Sequence, residues 1–330
     1  MTLDKRLTCI EFYCGIGGMH YALKEIQPES EVRAAVDINP SALTIYAHNF
    51  PTTSILNNNI QSFQAEKLDK LNADLWTMSP PCQPFTKKGL QKGHEDERCE
   101  SLKVLLDQLV LMERPPRFIF LENVVGFESS EMHEELLDRL WSKGYIFEEF
   151  ILCPTQFGVP NRRPRYYLLC RRRRNNEPIR TERIKKEPPV PSLVPDPIGN
   201  FIEKINDEDE SLRLPQKSCE KFRAALSVVS SQSRTSACFT KSYTHYLTGC
   251  GSFYDIQGDS TDCETNKIKE TEIEGLKIRR LTPREVANLM CFPAEFQQPP
   301  NSSDKQMYKT LGNSVNVRVV SLLLKYLLSQ

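Results

Sequence analysis

A doubly wound, mixed but mostly parallel α/β sheet with a second, smaller domain is the fold this sequence predicts, on three observations. Short β-rich runs alternate with segments of helical periodicity through the first half of the chain. The alternation stops after Arg174, where residues 175–200 hold six prolines and many charges. An apolar helical pattern then returns at Val315–Leu328. Strand–helix alternation packs as a parallel sheet with helices on its faces. Such a sheet binds ligands at the carboxyl ends of its strands.

Taken in order, the strand candidates are Leu7–Tyr13, Glu31–Ile38, Ala73–Ser79, Arg117–Val124, Tyr145–Cys153 and Arg165–Cys170. The helical segments are Met19–Ile26, Ser41–His48, Leu102–Met112 and Met132–Leu140. The expected organisation is a larger domain of residues 1–185, completed by the C-terminal segment 308–330. Residues 186–307 form the smaller domain, entered through the Pro-rich, charged linker.

Lys+Arg and Asp+Glu each number 43, so the net charge is zero. That excludes a protein that coats nucleic acid through bulk electrostatics and leaves a local basic patch: Arg162, Arg163, Arg165, then Arg171, Arg172, Arg173 and Arg174. The 11 cysteines are scattered without paired CxxC spacing. Neither a zinc site nor a disulfide framework is indicated, and no metal is expected. There is no secretory cleavage pattern and no apolar stretch of membrane-spanning length. The expected home is the cytoplasm, with a nuclear pool also open.

Glu11-Phe-Tyr-Cys-Gly-Ile-Gly-Gly18 follows the first strand and opens the first helix. Glycines there let the backbone turn tightly and approach a ligand beside the positive end of a helix. A dinucleotide fingerprint wants a third glycine where this chain has His20, which suits a nucleoside cofactor with no pyrophosphate to cradle. Asp37, at the end of the second strand, is placed to accept hydrogen bonds from ribose hydroxyls. By itself the glycine run is as compatible with an ordinary tight strand–helix turn.

Ser79-Pro-Pro-Cys-Gln-Pro-Phe85 directly follows a strand, so Cys82 belongs in a proline-stiffened loop at the binding edge. Glu122-Asn-Val124 ends the next apolar strand and puts a carboxyl at the same edge. Asn161-Arg-Arg-Pro-Arg165 precedes the last strand and supplies guanidinium groups. Thiol, carboxyl and guanidinium together suit covalent catalysis on a pyrimidine. A thiolate added at carbon 6 of cytosine makes carbon 5 nucleophilic. A protonated glutamate can hold ring nitrogen 3, and an arginine can steady the carbonyl oxygen. Each residue alone has a bland reading, as a structural thiol or a solvated charge. Their joint placement after successive strands argues against it.

At these residues the sequence resembles the DNA cytosine-5 methyltransferase family, and most closely its branch that methylates cytosine-5 in aspartate tRNA. The motifs run in family order over nearly the whole chain: the Glu11–Gly18 run, Asp37-Ile38, the loop around Cys82, the Glu122 triplet, the Arg163-Pro-Arg165 pair, Arg280-Leu-Thr-Pro-Arg-Glu285 and Leu311-Gly-Asn-Ser-Val315. The resemblance implies the S-adenosylmethionine-dependent methyltransferase fold, with Cys82, Glu122, Arg163 and Arg165 catalytic. It implies cofactor contacts from Tyr13, Cys14, Gly15, Ile16, Gly17, Gly18, Asp37, Ile38, Pro80, Asn313 and Ser314. Asn59 and Ile60 complete that set, at a place where many relatives carry an acidic residue before the isoleucine.

Cys238-Phe-Thr-Lys241 resembles a signature of the tRNA branch. Cys238, Phe239, Thr240 and Lys241 are therefore expected to meet substrate, together with Arg171, Arg172, Arg173 and Arg174. The implied reaction is methyl transfer from S-adenosylmethionine, with S-adenosylhomocysteine as product, to carbon 5 of an anticodon-loop cytosine in aspartate tRNA. Such a base is already unpaired and costs less to flip out than one in a duplex. The alternatives are a DNA cytosine-5 methyltransferase, a catalytically silent nucleic-acid-binding relative, and a nicotinamide oxidoreductase. The last is disfavoured by His20 and by the Cys82 loop.

Overall fold

All five residues of β1 (Thr8–Phe12) are buried, as befits a strand covered on both faces. The structure, a computed structural model, describes residues 6–81, 97–174, 177, 183–204, 210–258, 261–268 and 277–330. After β1 come α1 (Gly18–Ile26), β2 (Glu31–Val36), α2 (Pro40–Asn49), β3 (Ile55–Leu56), α3 (Ala65–Leu71), β4 (Leu75–Met78), α4 (Glu97–Leu111), β5 (Phe118–Val124), α5 (Glu131–Ser142), β6 (Tyr145–Leu152) and β7 (Arg165–Arg172). Further along are α6 (Gln216–Phe222), β8 (Val228–Val229), β9 (Phe253–Asp255), β10 (Thr261–Asp262), β11 (Lys267–Ile268), β12 (Ile278–Arg279), α7 (Pro283–Leu289), α8 (Asp304–Asn313) and α9 (Val317–Leu328).

The first seven strands form one sheet in the order β3-β2-β1-β4-β5-β7-β6. Strands β3 through β5 in that order run parallel, while β7 is antiparallel to both β5 and β6. This is the doubly wound, mostly parallel sheet expected. The chain moves outward from β1 to β3 and then returns to place β4 on the other side of β1. The loops after β1 and β4 therefore diverge at the switch point where such sheets hold ligands. Beneath them, Phe12 meets Trp76 and Phe63 edge-on, with centroids 5.0 and 6.1 Å apart, in a core that continues through Leu105, Leu121 and Tyr166.

The chain divides into two compact units. Unit one comprises residues 1–152, 164–190 and 320–330; unit two comprises 153–163 and 191–319. Unit one runs to Val190 rather than to residue 185, and the expected boundaries differ from these in two further places. Residues 153–163 belong to unit two, and the C-terminal return to unit one begins at Val320 rather than near residue 308. The sequence reading also passed over β3 and α3. The one has two residues, and the other buries only Ala65 and Leu68.

The described part of the linker is tied down by its backbone. The Ile151 amide donates to the Lys185 carbonyl, and the Lys185 amide to that of Glu149, extending the edge of β6 in unit one. In unit two the Leu193 and Asp196 amides donate to the carbonyls of Gln156 and Gly158. Unit two owes its order to side chains as much as to its short strands. Arg279 and Glu285 form a buried bidentate pair at 2.7 and 2.8 Å. Glu285 also closes a capping box with Thr282 at the start of α7.

Candidate active site

The turn after β1 is built from unusual backbone. Tyr13, Gly15 and Gly17 have φ of 55°, 54° and 84°. For tyrosine this left-handed conformation costs about 1–2 kcal/mol, and such strain clusters where ligands bind. The Tyr13 hydroxyl is held 3.0 Å from Ser101 Oγ on α4. Gly17 caps α1, and a Cβ there would come within 2.5 Å of the Phe50 ring, so no larger residue fits. The expected contacts Cys14 and Ile16 are buried, as is Gly18 at the start of α1, so these three residues offer backbone rather than side chains.

Asp37 locks this turn. Its Oδ2 accepts the Gly15 amide at 2.9 Å and its Oδ1 the Asn39 amide at 2.8 Å. A carboxylate has about four lone-pair sites, so both oxygens retain capacity for a ligand's hydroxyls. Next to it, Ile38 is 68% exposed. A carboxylate beside an exposed isoleucine, facing tight amide-rich backbone at the switch point, fits a nucleoside: hydroxyls for Asp37, an apolar ring face for Ile38. Asn59 is exposed and caps a short helical turn, its Oδ1 accepting the Gln61 amide. The Ile60 side chain lies in the hydrophobic core, which leaves its backbone for the expected contact with the cofactor. Pro80 is also buried.

Under the turn lies a polar chain that the sequence reading missed. Tyr46 donates its hydroxyl proton to Glu11 Oε2 at 3.0 Å and sits 2.8 Å from His20 Nδ1. Burial pushes the Glu11 carboxyl up to about 8, against the opposing Tyr46 hydrogen bond. Burial also holds His20 down to about 3, so its ring is neutral. The ring stacks on Phe50 at 3.7 Å. His20 is thus a core residue, which is why a third glycine is not needed at its position.

Glu122 sits at the carboxyl end of β5, 6% exposed. The parallel register pairs Met78 with Leu121, setting Ser79 beside it, and Ser79 Oγ donates to Glu122 Oε2 at 3.2 Å. The antiparallel register pairs Val124 with Arg165, and Arg165 Nε reaches Glu122 Oε1 at 3.3 Å. Three chain segments from three different strands therefore converge on one carboxylate. Cys82 lies outside the described residues; its covalent neighbour Pro81 is the last described residue of this loop.

The C-5 cytosine-specific DNA methylase model matches residues 7–329. The chain belongs to that family. A tRNA (cytosine(38)-C(5))-methyltransferase of Spodoptera frugiperda is 42% identical, covering 96% of this chain and 98% of its own. A DNA (cytosine-5)-methyltransferase of Dictyostelium discoideum is 34% identical over 98% of this chain and 95% of its own. The crystal structure of the S. pombe Dnmt2 methyltransferase superposes with a TM-score of 0.83 at 35% identity, covering 98% and 99% of the two chains.

In this methylase the two motif arginines do different things. Arg165 pairs with Glu122 in unit one. Arg163, in unit two and 3% exposed, points its guanidinium at backbone carbonyls. Nη1 donates to Phe239 O at 2.9 Å, and Nη2 to Gly312 O at 3.2 Å and Ser314 O at 2.5 Å. Cys238 Sγ lies 3.4 Å from Nη1. In this geometry the Arg163 guanidinium clamps backbone carbonyls, whereas that of Arg165 meets the Glu122 carboxyl. Arg163 ties the Cys238–Lys241 run to the end of α8, where Asn313 is exposed and Ser314 half-buried. That junction is close enough that a Cβ on Gly312 would meet the Thr240 and Lys241 backbone at 2.3 Å.

The expected substrate residues also divide. Phe239 is 1% exposed and packs on Tyr243, so it anchors the run rather than meeting substrate. Cys238 and Thr240 are half-buried, and Lys241 is exposed. Arg171 forms a bidentate pair with Glu177 at 2.6 and 2.7 Å, and this holds the Glu177 carboxyl down to about 2. Arg171 is thereby withdrawn from the expected phosphate contacts. Arg172 lies over the Tyr145 ring and Arg174 donates to the Gln330 carbonyl, while Arg172, Arg173 and Arg174 all remain exposed. No helix among the described residues is long and apolar enough to cross a membrane.

Proposed function

We propose that this methylase transfers a methyl group from S-adenosylmethionine to carbon 5 of cytosine 38 in the anticodon loop of tRNA, with aspartate tRNA the preferred substrate. The observation that carries the reading is the convergence of Ser79, Glu122 and Arg165 at the sheet edge that also bears the Asp37 turn. The relative named for cytosine 38 of tRNA supports the substrate. S-adenosylmethionine supplies the methyl group. Asp37 would hold its ribose and Ile38 one face of its adenine, with the 13–18 backbone around the remainder. Cys82 attacks carbon 6 of the base, Glu122 holds ring nitrogen 3, and Arg165 fixes the Glu122 carboxyl while lending positive charge to the base's carbonyl oxygen.

The test is methyl transfer from labelled cofactor to purified tRNA and to duplex DNA side by side. Rapid labelling of tRNA at that cytosine is expected, with DNA far slower. Equal or faster turnover on DNA would favour the second reading, a DNA methyltransferase, to which the Dictyostelium relative points.

The cofactor assignment has its own check. Asp37→Ala should weaken S-adenosylmethionine binding by about 1.5–3 kcal/mol, the range for a hydrogen bond to a charged group. Asp37→Asn can still accept the Asn39 amide, so it separates loss of charge from loss of the turn. Calorimetry showing unchanged affinity in both variants would place the ribose elsewhere.

A further inference from the structure

Unit two carries one aromatic ring whose placement the proposed chemistry does not use. All 11 tyrosines are described, and Tyr246 is the one that is exposed, at 62%. It follows the Cys238–Lys241 run on a loop that hydrogen bonds define closely. The Thr240 amide donates to the Cys250 carbonyl and closes the loop. Tyr246 is fixed from both sides: its amide donates to the Ser242 carbonyl, and its own carbonyl accepts the Cys250 thiol at 2.8 Å.

The loop stands on a buried aromatic base. The Tyr243 ring packs against Phe239, Phe253 and Tyr308 at 5.2–5.5 Å between centroids. Its hydroxyl donates to Ser252 O and accepts the Leu281 amide. Arg163 holds the Phe239 carbonyl from below. A loop tied this firmly would be expected to turn its aromatic ring inward, where burial of a ring is worth most. Here the backbone is fixed and the ring is left in water, with the exposed Lys241 and His245 on the same loop.

We infer that Tyr246 is a stacking platform for an unpaired base of the RNA substrate, flanked by Lys241 as a phosphate contact. This rests on the tRNA reading above and deepens it. Single-stranded bases are recognised by stacking on aromatic faces, because every base offers a π-face. A tyrosine on a pre-ordered loop loses only two side-chain torsions on binding. The buried Phe239 and Tyr243 are then the mounting, and Tyr246 is the surface that meets RNA.

The experiment compares Tyr246→Ala, Tyr246→Leu, Tyr246→Phe and Tyr246→Trp with wild type, measuring kcat and KM for tRNA and KM for cofactor. Because the ring is exposed, all four should fold and melt as wild type does. Stacking predicts a tRNA KM raised about 5- to 100-fold in Ala and Leu, and within about twofold of wild type in Phe and Trp, with cofactor KM constant throughout. An unchanged KM in the Ala variant overturns the inference, as does a Leu variant that performs like Phe, since leucine is apolar but has no π-face. If the wild-type protein leaves tRNA unmethylated, the substrate reading itself falls, and this inference with it. If wild type methylates tRNA and the Ala variant matches it, only the Tyr246 assignment falls.

Discussion

Cys82→Ala is expected to abolish methyl transfer, by on the order of 10⁴-fold or more in kcat, while cofactor binding stays within error of wild type. In the proposed mechanism Cys82 is the residue that serves as the nucleophile. Its Sγ would bond to carbon 6, the electron pair gained by the ring would take the methyl group from the cofactor sulfur onto carbon 5, leaving S-adenosylhomocysteine, and loss of the carbon 5 proton would expel Sγ as thiolate. Alanine forms no such bond, and the carboxyl and guanidinium left behind polarise a ring that is still electron-poor. The prediction gains weight from what surrounds the loop: Ser79, three residues before Cys82, is bonded to Glu122. Single-turnover assays with saturating cofactor and tRNA make the comparison directly. Residual turnover within tenfold of wild type would refute the covalent mechanism.

Glu122→Gln should be the next most damaging change, lowering kcat by about 10²–10⁴-fold, the usual range for loss of a positioned acid–base group. Glutamine keeps the shape and can still accept the Ser79 hydroxyl, so the loop anchor survives. What it lacks is a carboxyl that can exchange a proton with ring nitrogen 3, and it leaves the Arg165 guanidinium beside a neutral amide. Tight tRNA binding with slow chemistry is the expected signature. A kcat within threefold of wild type would remove Glu122 from the chemistry and leave it as a strut between two strands.

The sheet was readable because its long strands are apolar runs set between helices with clear periodicity. β3 and α3 gave no such signal: two residues cannot establish a period, and α3 is polar around most of its surface. Unit two was opaque for a different reason. Its strands are two or three residues long, and its order comes from Arg279, Arg284 and Arg163 reaching carbonyls or a carboxylate, contacts that follow no repeat.

The site shows the same division. Cys82 and Glu122 stand out in the sequence because each directly follows or ends an apolar strand. Arg163 and Arg165, two positions apart, could not be told apart by pattern. β7 begins at Arg165, which turns that side chain toward Glu122; Arg163 precedes the strand and turns to carbonyls of unit two, to which it belongs. The buried Glu11–Tyr46–His20 chain joins residues from β1, α1 and α2, and only the folded backbone brings them together.

Residues 320–330 belong to the same unit as β1 through β7. Tyr326 donates its hydroxyl to Glu148 on β6, and Leu323, Leu324 and Leu327 are buried. A ribosome delivers all seven strands of the sheet first, then nearly the whole of unit two, and only then the helix that finishes unit one. The larger unit therefore waits through synthesis of the smaller one with an apolar flank uncovered. In a protein wired this way the two units cannot mature one after the other as separate beads on the nascent chain.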